Sequence, residues 1–255
     1  MGDQEPEIVI ARDLDDLHRQ AAEFVTRYIM NRARPGNRVA IALSGGTTPR
    51  GLYERLAGEN LRHKIPWSRV HLFWGDERCV PPENPESNYR TADESLISRV
   101  PIPLENIHRM PGEKTDPQKA ADAYERTLRD FFRTAPGEWP AFDLALLGVG
   151  SDGHTASLFP GSPVLEETQR WVAAPYVEKL KAHRLTLTLP VFNHADQVIF
   201  LAAGREKAPV MREWVSQENR TARFPFEMIR PLSGRLLFLL DREAAGSMNP
   251  SERKP

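Results

Sequence analysis

The chain has 255 residues, with 34 Lys and Arg against 35 Asp and Glu and a formal net charge of −1, so no strong field draws it to nucleic acid or to an acidic membrane surface. Hydrophobic residues make up 40% and charged residues 27%, ordinary for a soluble globular protein, and no apolar run approaches the ~20 residues of a membrane span. The lone Cys79 excludes an intrachain disulfide and a cysteine-rich metal site, and the acidic N-terminus has no apolar signal region, which points to the cytoplasm.

Glu7 to Ala11 reads as a strand, and Asp13 is a good N-cap for a helix running to about Arg34, with Leu14, Leu17, Ala21, Phe24, Val25, Tyr28 and Ile29 on one face. Pro35-Gly36 ends it. Arg38 to Leu43 is a second strand, entering Ser44-Gly45-Gly46-Thr47-Thr48-Pro49. Thr48 suits a cap and Pro49 a first helical position, so a helix is expected from Pro49 to Leu56. Strand, paired glycines beside hydroxyls, then a helix N-terminus is a setting for a phosphate or sugar, because unspent N–H groups and the helix dipole favour an anion. No Gly-Lys-Ser/Thr follows, so it is not a Walker loop.

Val70 to Trp74 is a third strand, ending in Gly75-Asp76-Glu77-Arg78. Three charges after a buried strand fall at the rim where ligands bind, and Arg78 offers a planar fork to a negative oxygen. Ser87 begins a helix whose first turn carries Asn88 toward the same rim. Ile107 to Met110 reads as a short strand, Asp116 caps a helix over Pro117 to Arg133, and Pro136 to Pro140 is a linker.

The stretch Phe142 to Ser162, FDLALLGVGSDGHTASLFPGS, is the centre of the chain. An apolar run to Leu147 enters a loop holding Gly148, Gly150, Asp152, Gly153 and His154, the pattern of a site at the carboxyl end of a parallel strand. Gly148, Gly150 and Gly153 also spell G-x-G-x-x-G. Pro160-Gly161 would stop a following helix within two turns, and no acid stands about 20 residues on, so a dinucleotide site is not expected. Beyond it, Trp171 to Ala174, Arg184 to Leu189, Val198 to Ala203 and Leu236 to Asp241 read as strands. The alternation in RLTLTL predicts one less buried face. Lys207 falls in the first turn of a helix over Glu206 to Val215, where a cation opposes the dipole unless an anion binds. Arg242 to Pro255 reads as a polar, frayed tail.

Strands alternating with helices predict an α/β fold of three layers, a mainly parallel sheet with helices on both faces, in one domain with a core of about residues 7–241. LSGGTTPRGLY, WGDERCVPPENPESNYR, LLGVGSDGHTASLFPGS and AAGREKAPV, in this order, closely resemble the 6-phosphogluconolactonase family, whose fold is akin to glucosamine-6-phosphate deaminase and ribose-5-phosphate isomerase. The resemblance implies hydrolysis of 6-phospho-D-glucono-1,5-lactone without a metal or organic cofactor, and a small sugar-phosphate lactone as the partner of a monomer or small homo-oligomer. It implies His154 as general base, Arg78 as the residue steadying the reacting carbonyl, and Ser44, Gly45, Gly46 and Thr47 as sugar-phosphate contacts. Arg184 and Lys207 would be the cations of the phosphate site, with Lys179, Lys181 and His183 as possible substitutes for Arg184. Thr48, Asp76, Asn88, Gly150, Asp152 and Gly153 complete the expected contacts. The alternative is a glucosamine-6-phosphate deaminase-like isomerase. Deaminases of this kind carry a glutamate five residues after the histidine, and that position is Phe159.

Overall fold

A computed structural model describes residues 5–216 and 222–248. In chain order the elements begin β1 (Glu7–Ala11), α1 (Leu14–Arg32), β2 (Val39–Leu43), α2 (Thr47–Leu56), α3 (Glu59–Arg62), β3 (Val70–Trp74), β4 (Asp76–Arg78), α4 (Asn88–Ser95), β5 (Ile107–His108) and α5 (Pro117–Phe132). They continue with β6 (Leu144–Gly148), β7 (Val172–Ala173), β8 (Tyr176–Val177), β9 (Ala182–Leu187), α6 (Leu189–Asn193), β10 (Gln197–Ala202), α7 (Ala208–Ser216), β11 (Arg235–Asp241) and α8 (Arg242–Ala245).

Seven strands form a sheet in the order β1-β11-β10-β6-β2-β3-β5, and every pairing in it is parallel. Every residue of β2, β3 and β10 is buried. Successive side chains of a strand point to opposite faces, so both faces of this sheet are covered. α1, α4 and α5 start where the sequence predicts, whereas α2 starts two residues earlier, at Thr47, and α7 two residues later, at Ala208. Asp13, Ser87 and Asp116 each accept a backbone N–H in the first turn of α1, α4 and α5.

The chain moves from β2 outward to β3 and β5, and from β6 outward the other way to β10 and β11. The neighbours β2 and β6 therefore flank the point where the winding reverses. Loops at the carboxyl ends of such strands diverge and leave a crevice, the usual ligand position in open α/β sheets.

Three expectations change. Asp76–Arg78, read only as charges at the rim after the third strand, is itself a strand, β4, antiparallel to β9 in a second sheet that also holds β7, with β8 paired to β9. The threonine face of β9 is not wetter than the other: Thr186 and the adjoining Thr188 are fully buried, with their hydroxyls donating to the carbonyls of Leu187 and Arg170. The frayed tail does not start at Arg242. Asp241 caps α8, donor Ala244 N to Oδ1 at 2.7 Å, and Ala244, Ala245 and Met248 are buried. The remainder of that expected tail, 249–255, lies outside the described residues.

Candidate active site

Loops from β2, β6, β3 and β10 converge on a cavity of about 250 Å³ at the reversal point. Ser44, Gly45, Gly46, Thr47, Thr48, Asp76, Arg78, Asn88, Gly150, His154 and Lys207 all line it. The sequence expectations also included Asp152, Gly153 and Arg184, which the structure puts outside the lining.

After β2, Gly46 is the N-cap of α2 at φ 101°, a backbone only glycine adopts readily, and no side chain caps the helix. The cap expected at Thr48 is thus absent, and Thr47 and Thr48 are the first helical residues. Pro49 sits in the first turn, where a missing N–H costs nothing. The N–H groups of Thr47 and Thr48 face the cavity end of a ten-residue helix without a side-chain acceptor. Tyr53, one turn on and fully buried, clamps Ser44 by donating its hydroxyl to Ser44 O at 2.7 Å and accepting Ser44 N at 3.0 Å. Ser44 Oγ is buried without a hydrogen-bond partner, as expected of a group reserved for a ligand.

Behind this loop is a polar chain. Asn88 donates to Asp76 O at 2.9 Å and Asp76 Oδ1 at 3.1 Å, and Ser157 Oγ donates to Asp76 Oδ2 at 2.8 Å. A Cβ on Gly45 would lie 1.7 Å from Asn88 Oδ1, so glycine there makes room for the amide. Glu77 points away from the cavity. It is buried and accepts from the backbone N–H groups of Arg78, Asn88 and Tyr89 and from Ser87 Oγ. Burial pushes its carboxyl up against those bonds, which pull the other way. It fixes the start of α4, and with it Asn88. Arg78 donates Nη1 to Glu86 O, which pins the guanidinium at the wall.

After β6 the backbone turns tightly, with Gly153 N donating to Gly150 O at 2.9 Å and Gly150 N to His154 O at 2.8 Å. A Cβ on Gly150 would fall 2.1 Å from His154 Nδ1, so the imidazole lies directly on this glycine. Gly153, at φ 78°, has Phe224 packed where a side chain would be, and its carbonyl accepts Phe226 N at 3.2 Å. It supports the loop and does not line the cavity. Asp152 stands behind His154: Oδ1 is 2.5 Å from Nδ1, and Oδ2 accepts Lys179 Nζ at 2.9 Å. Burial raises the Asp152 carboxyl, but Lys179 and His154 outweigh it and hold it well below the usual carboxylate range. An ionised Asp152 accepts Nδ1–H, which leaves the imidazole lone pair on Nε2. Phe159 stacks on the imidazole at 4.2 Å between centroids.

After β10, Gly204 (φ 94°) opens a 3₁₀ turn, Arg205–Lys207, that runs into α7. Gly204 N donates to both oxygens of Asp241, so the α8 cap also anchors the turn presenting Lys207. Lys207 Nζ is 3.7 Å from Glu206 Oε1, a partial answer to its position against the dipole. Arg184 sits opposite Arg78 in the β4–β9 register, but its Nη1 folds back to His183 O at 3.0 Å and it lines a neighbouring groove with Cys79, Gly112 and His183. Lys181 and His183 also stay outside the cavity lining. A larger groove of about 930 Å³ is edged by Glu166, Glu167 and Glu178, the wrong sign for a phosphate.

The supporting roles of Tyr53, Ser157, Phe224 and Asp241 escaped sequence reasoning, and Glu77, expected at the rim, turns away to hold the start of α4. Ser157 meets Asp76 from 81 positions away, and a single chain carries no local signal for such a pair.

An open parallel sheet whose switch-point cavity joins an uncapped helix N-terminus, a lysine, an arginine and a carboxylate-backed histidine defines an enzyme of sugar-phosphate chemistry. Residues 12–238 match the sequence profile of the glucosamine-6-phosphate isomerases/6-phosphogluconolactonase family, and the chain belongs to that family. It is 40% identical over 245 residues to the 6-phosphogluconolactonase of Synechocystis sp., covering 96% of this chain and 99% of that one. It is 35% identical to that of Streptomyces coelicolor over 98% of this chain and 97% of that one. The 6-phosphogluconolactonase structure from Trypanosoma cruzi superposes with a TM-score of 0.86 at 33% identity, covering 96% of this chain and 97% of that one. A monomeric glucosamine-6-phosphate deaminase shares the fold, with a TM-score of 0.77 at 19% identity over 94% of this chain and 98% of that one.

Proposed function

We propose that this chain hydrolyses 6-phospho-D-glucono-1,5-lactone to 6-phosphogluconate, the lactonase step of the oxidative pentose phosphate pathway, with His154 as general base. The observation that carries the assignment of the base is the Asp152–His154 contact, which leaves Nε2 basic at a cavity that also holds Arg78, Lys207 and the α2 N-terminus. Water beside C1 gives a proton to Nε2 as its oxygen adds to the carbonyl. The oxyanion so formed is met by Arg78. Collapse breaks the bond from C1 to the ring oxygen, which takes the proton from Nε2. The acid product then ionises to solvent. A lactone carbonyl is already electrophilic, so one base and one oxyanion donor suffice, without a covalent nucleophile, metal or organic cofactor.

The phosphate rests on the Ser44–Thr48 loop and Lys207, and its remote binding energy positions C1. We place the enzyme in the cytoplasm, as a monomer or small homo-oligomer acting on a phosphorylated substrate that does not cross membranes unaided. No described helix is long and apolar enough to cross a membrane. The deaminase alternative is not favoured, because Phe159 occupies the position of the carboxylate that would partner the histidine. The test is hydrolysis of the phosphorylated and unphosphorylated lactones by purified protein, corrected for spontaneous ring opening. Faster turnover of the phosphorylated compound supports the reading, and no rate above background rejects it.

A further inference from the structure

Lys179 sits in the 3₁₀ turn Glu178–Leu180 that leads into β9, on a different element from the histidine loop. The next residue, Lys181, is left-handed at φ 48° and closes the turn by donating its N–H to Glu178 O at 3.2 Å. Lys179 is 66% exposed, and long solvated lysines do not ordinarily hold one geometry. Here its ammonium meets Asp152 Oδ2 at 2.9 Å, while Oδ1 of the same carboxylate is 2.5 Å from His154 Nδ1. The two oxygens are thus divided between an ammonium and the base, and Lys179 has no part in the cavity lining.

We propose that Lys179 is a positioning residue that acts through Asp152: it fixes the carboxylate's rotamer, and so the imidazole plane, and offsets part of the negative charge behind the ring. The physical logic is one of balance. A bare carboxylate at Nδ1 stabilises the imidazolium and makes the base hold its proton to higher pH. An ammonium on the far oxygen weakens that pull. The charged residues from other elements that line the same cavity as His154 are Asp76 and Arg78 on β4, and Glu206 and Lys207 in the turn entering α7. They nearly cancel in sign, so Lys179 is the charge that tips the pair behind the ring. This inference rests on His154 being the base only for its catalytic consequence. The coupling itself is a property of the free protein.

The experiment follows the His154 Cε1–H resonance with pH in the full chain without substrate, assigned by its loss in His154→Gln, for wild type, Lys179→Gln and Lys179→Arg. In Lys179→Gln the titration midpoint should rise by about half a unit, the size expected of one unit charge removed from a largely solvated neighbour. Lys179→Arg should restore it, and salt should shrink the difference. In an Asp152→Asn background the lysine substitution should have no effect on the midpoint. The acidic limb of kcat/KM for the phosphorylated lactone should move up in parallel, with KM unchanged. An unchanged midpoint in Lys179→Gln overturns the proposal, as does a raised KM without a midpoint shift, which would make Lys179 a substrate ligand. A midpoint that moves while the rate profile shows no matching limb leaves the coupling standing and removes His154 as the base.

Discussion

The ring of Phe159 lies on the imidazole of His154, with centroids 4.2 Å apart and planes 20° from parallel. An aromatic face there fills the space beside the base with carbon. It neither holds a charge nor relays a proton. Ring opening and amine loss demand several proton transfers, whereas lactone hydrolysis needs one base and one oxyanion site. The protein should therefore release no ammonia from glucosamine 6-phosphate under conditions where it opens the phosphorylated lactone. A coupled ammonia assay checks this, and ammonia release at a rate rivalling lactone hydrolysis would defeat the assignment.

Gly150 is required by the ring resting on it. A methyl group there would sit 2.1 Å from His154 Nδ1 and 2.8 Å from Asp152 Oδ1, so the imidazole must swing away. Gly150→Ala should lower kcat by about 10²-fold or more, the cost of misplacing a base by an ångström. Gly150 is not at positive φ, so the melting temperature should move little. A variant with normal kcat would show that the ring position is not critical.

Lys207 is assigned to the phosphate. Removing one charged hydrogen bond to it should cost about 1.5–3 kcal/mol, or roughly 10- to 100-fold in affinity. Lys207→Ala should raise KM for the phosphorylated lactone by that factor and barely affect the unphosphorylated one. Equal losses on both substrates would take Lys207 out of the phosphate site.

The acid stability of the fold should be set far from the cavity. His71 on β3 and His108 on β5 meet at 3.2 Å, Nδ1 to Nε2, beneath Phe131. Burial, with His108 and Arg38 nearby, pushes His71 down to about 4, and burial also lowers His108. The unfolded chain then binds more protons than the folded one between about pH 6.5 and 4. The stability is fully present above about pH 6.5 and falls as the pH drops through that window, by about 2–3 kcal/mol for His71. Urea melts from pH 7.5 to 4.5 should show the decline, and His71→Leu should flatten it. An equal slope in the variant would place the acid sensitivity elsewhere.

What the sequence made legible follows from how local each signal is. The buried runs Val39–Leu43, Val70–Trp74 and Gln197–Ala202, the caps at Asp13, Ser87 and Asp116, and the glycine loops are written within a few residues, so the parallel sheet and its rim could be read directly. The β4 strand was not, because Asp-Glu-Arg carries no strand pattern and is held extended by β9, more than a hundred residues away. The position of Arg184 outside the cavity lining has the same origin: its strand is legible, but the return of its guanidinium to His183 O is not. Thr186 and Thr188 looked like an exposed face because alternation reports polarity, and a hydroxyl satisfied by a backbone carbonyl is as easily buried as a methyl group.

The central claim is that His154 takes the proton from water during lactone hydrolysis. Its most direct test is kcat for the phosphorylated lactone in wild type and in His154→Gln, a substitution that keeps a polar side chain of similar reach but offers no base, with both proteins shown to be folded by their melting curves. The account predicts a fall in kcat of about 10²–10⁴-fold, with KM changed far less. A folded His154→Gln protein turning over at close to the wild-type kcat would contradict it.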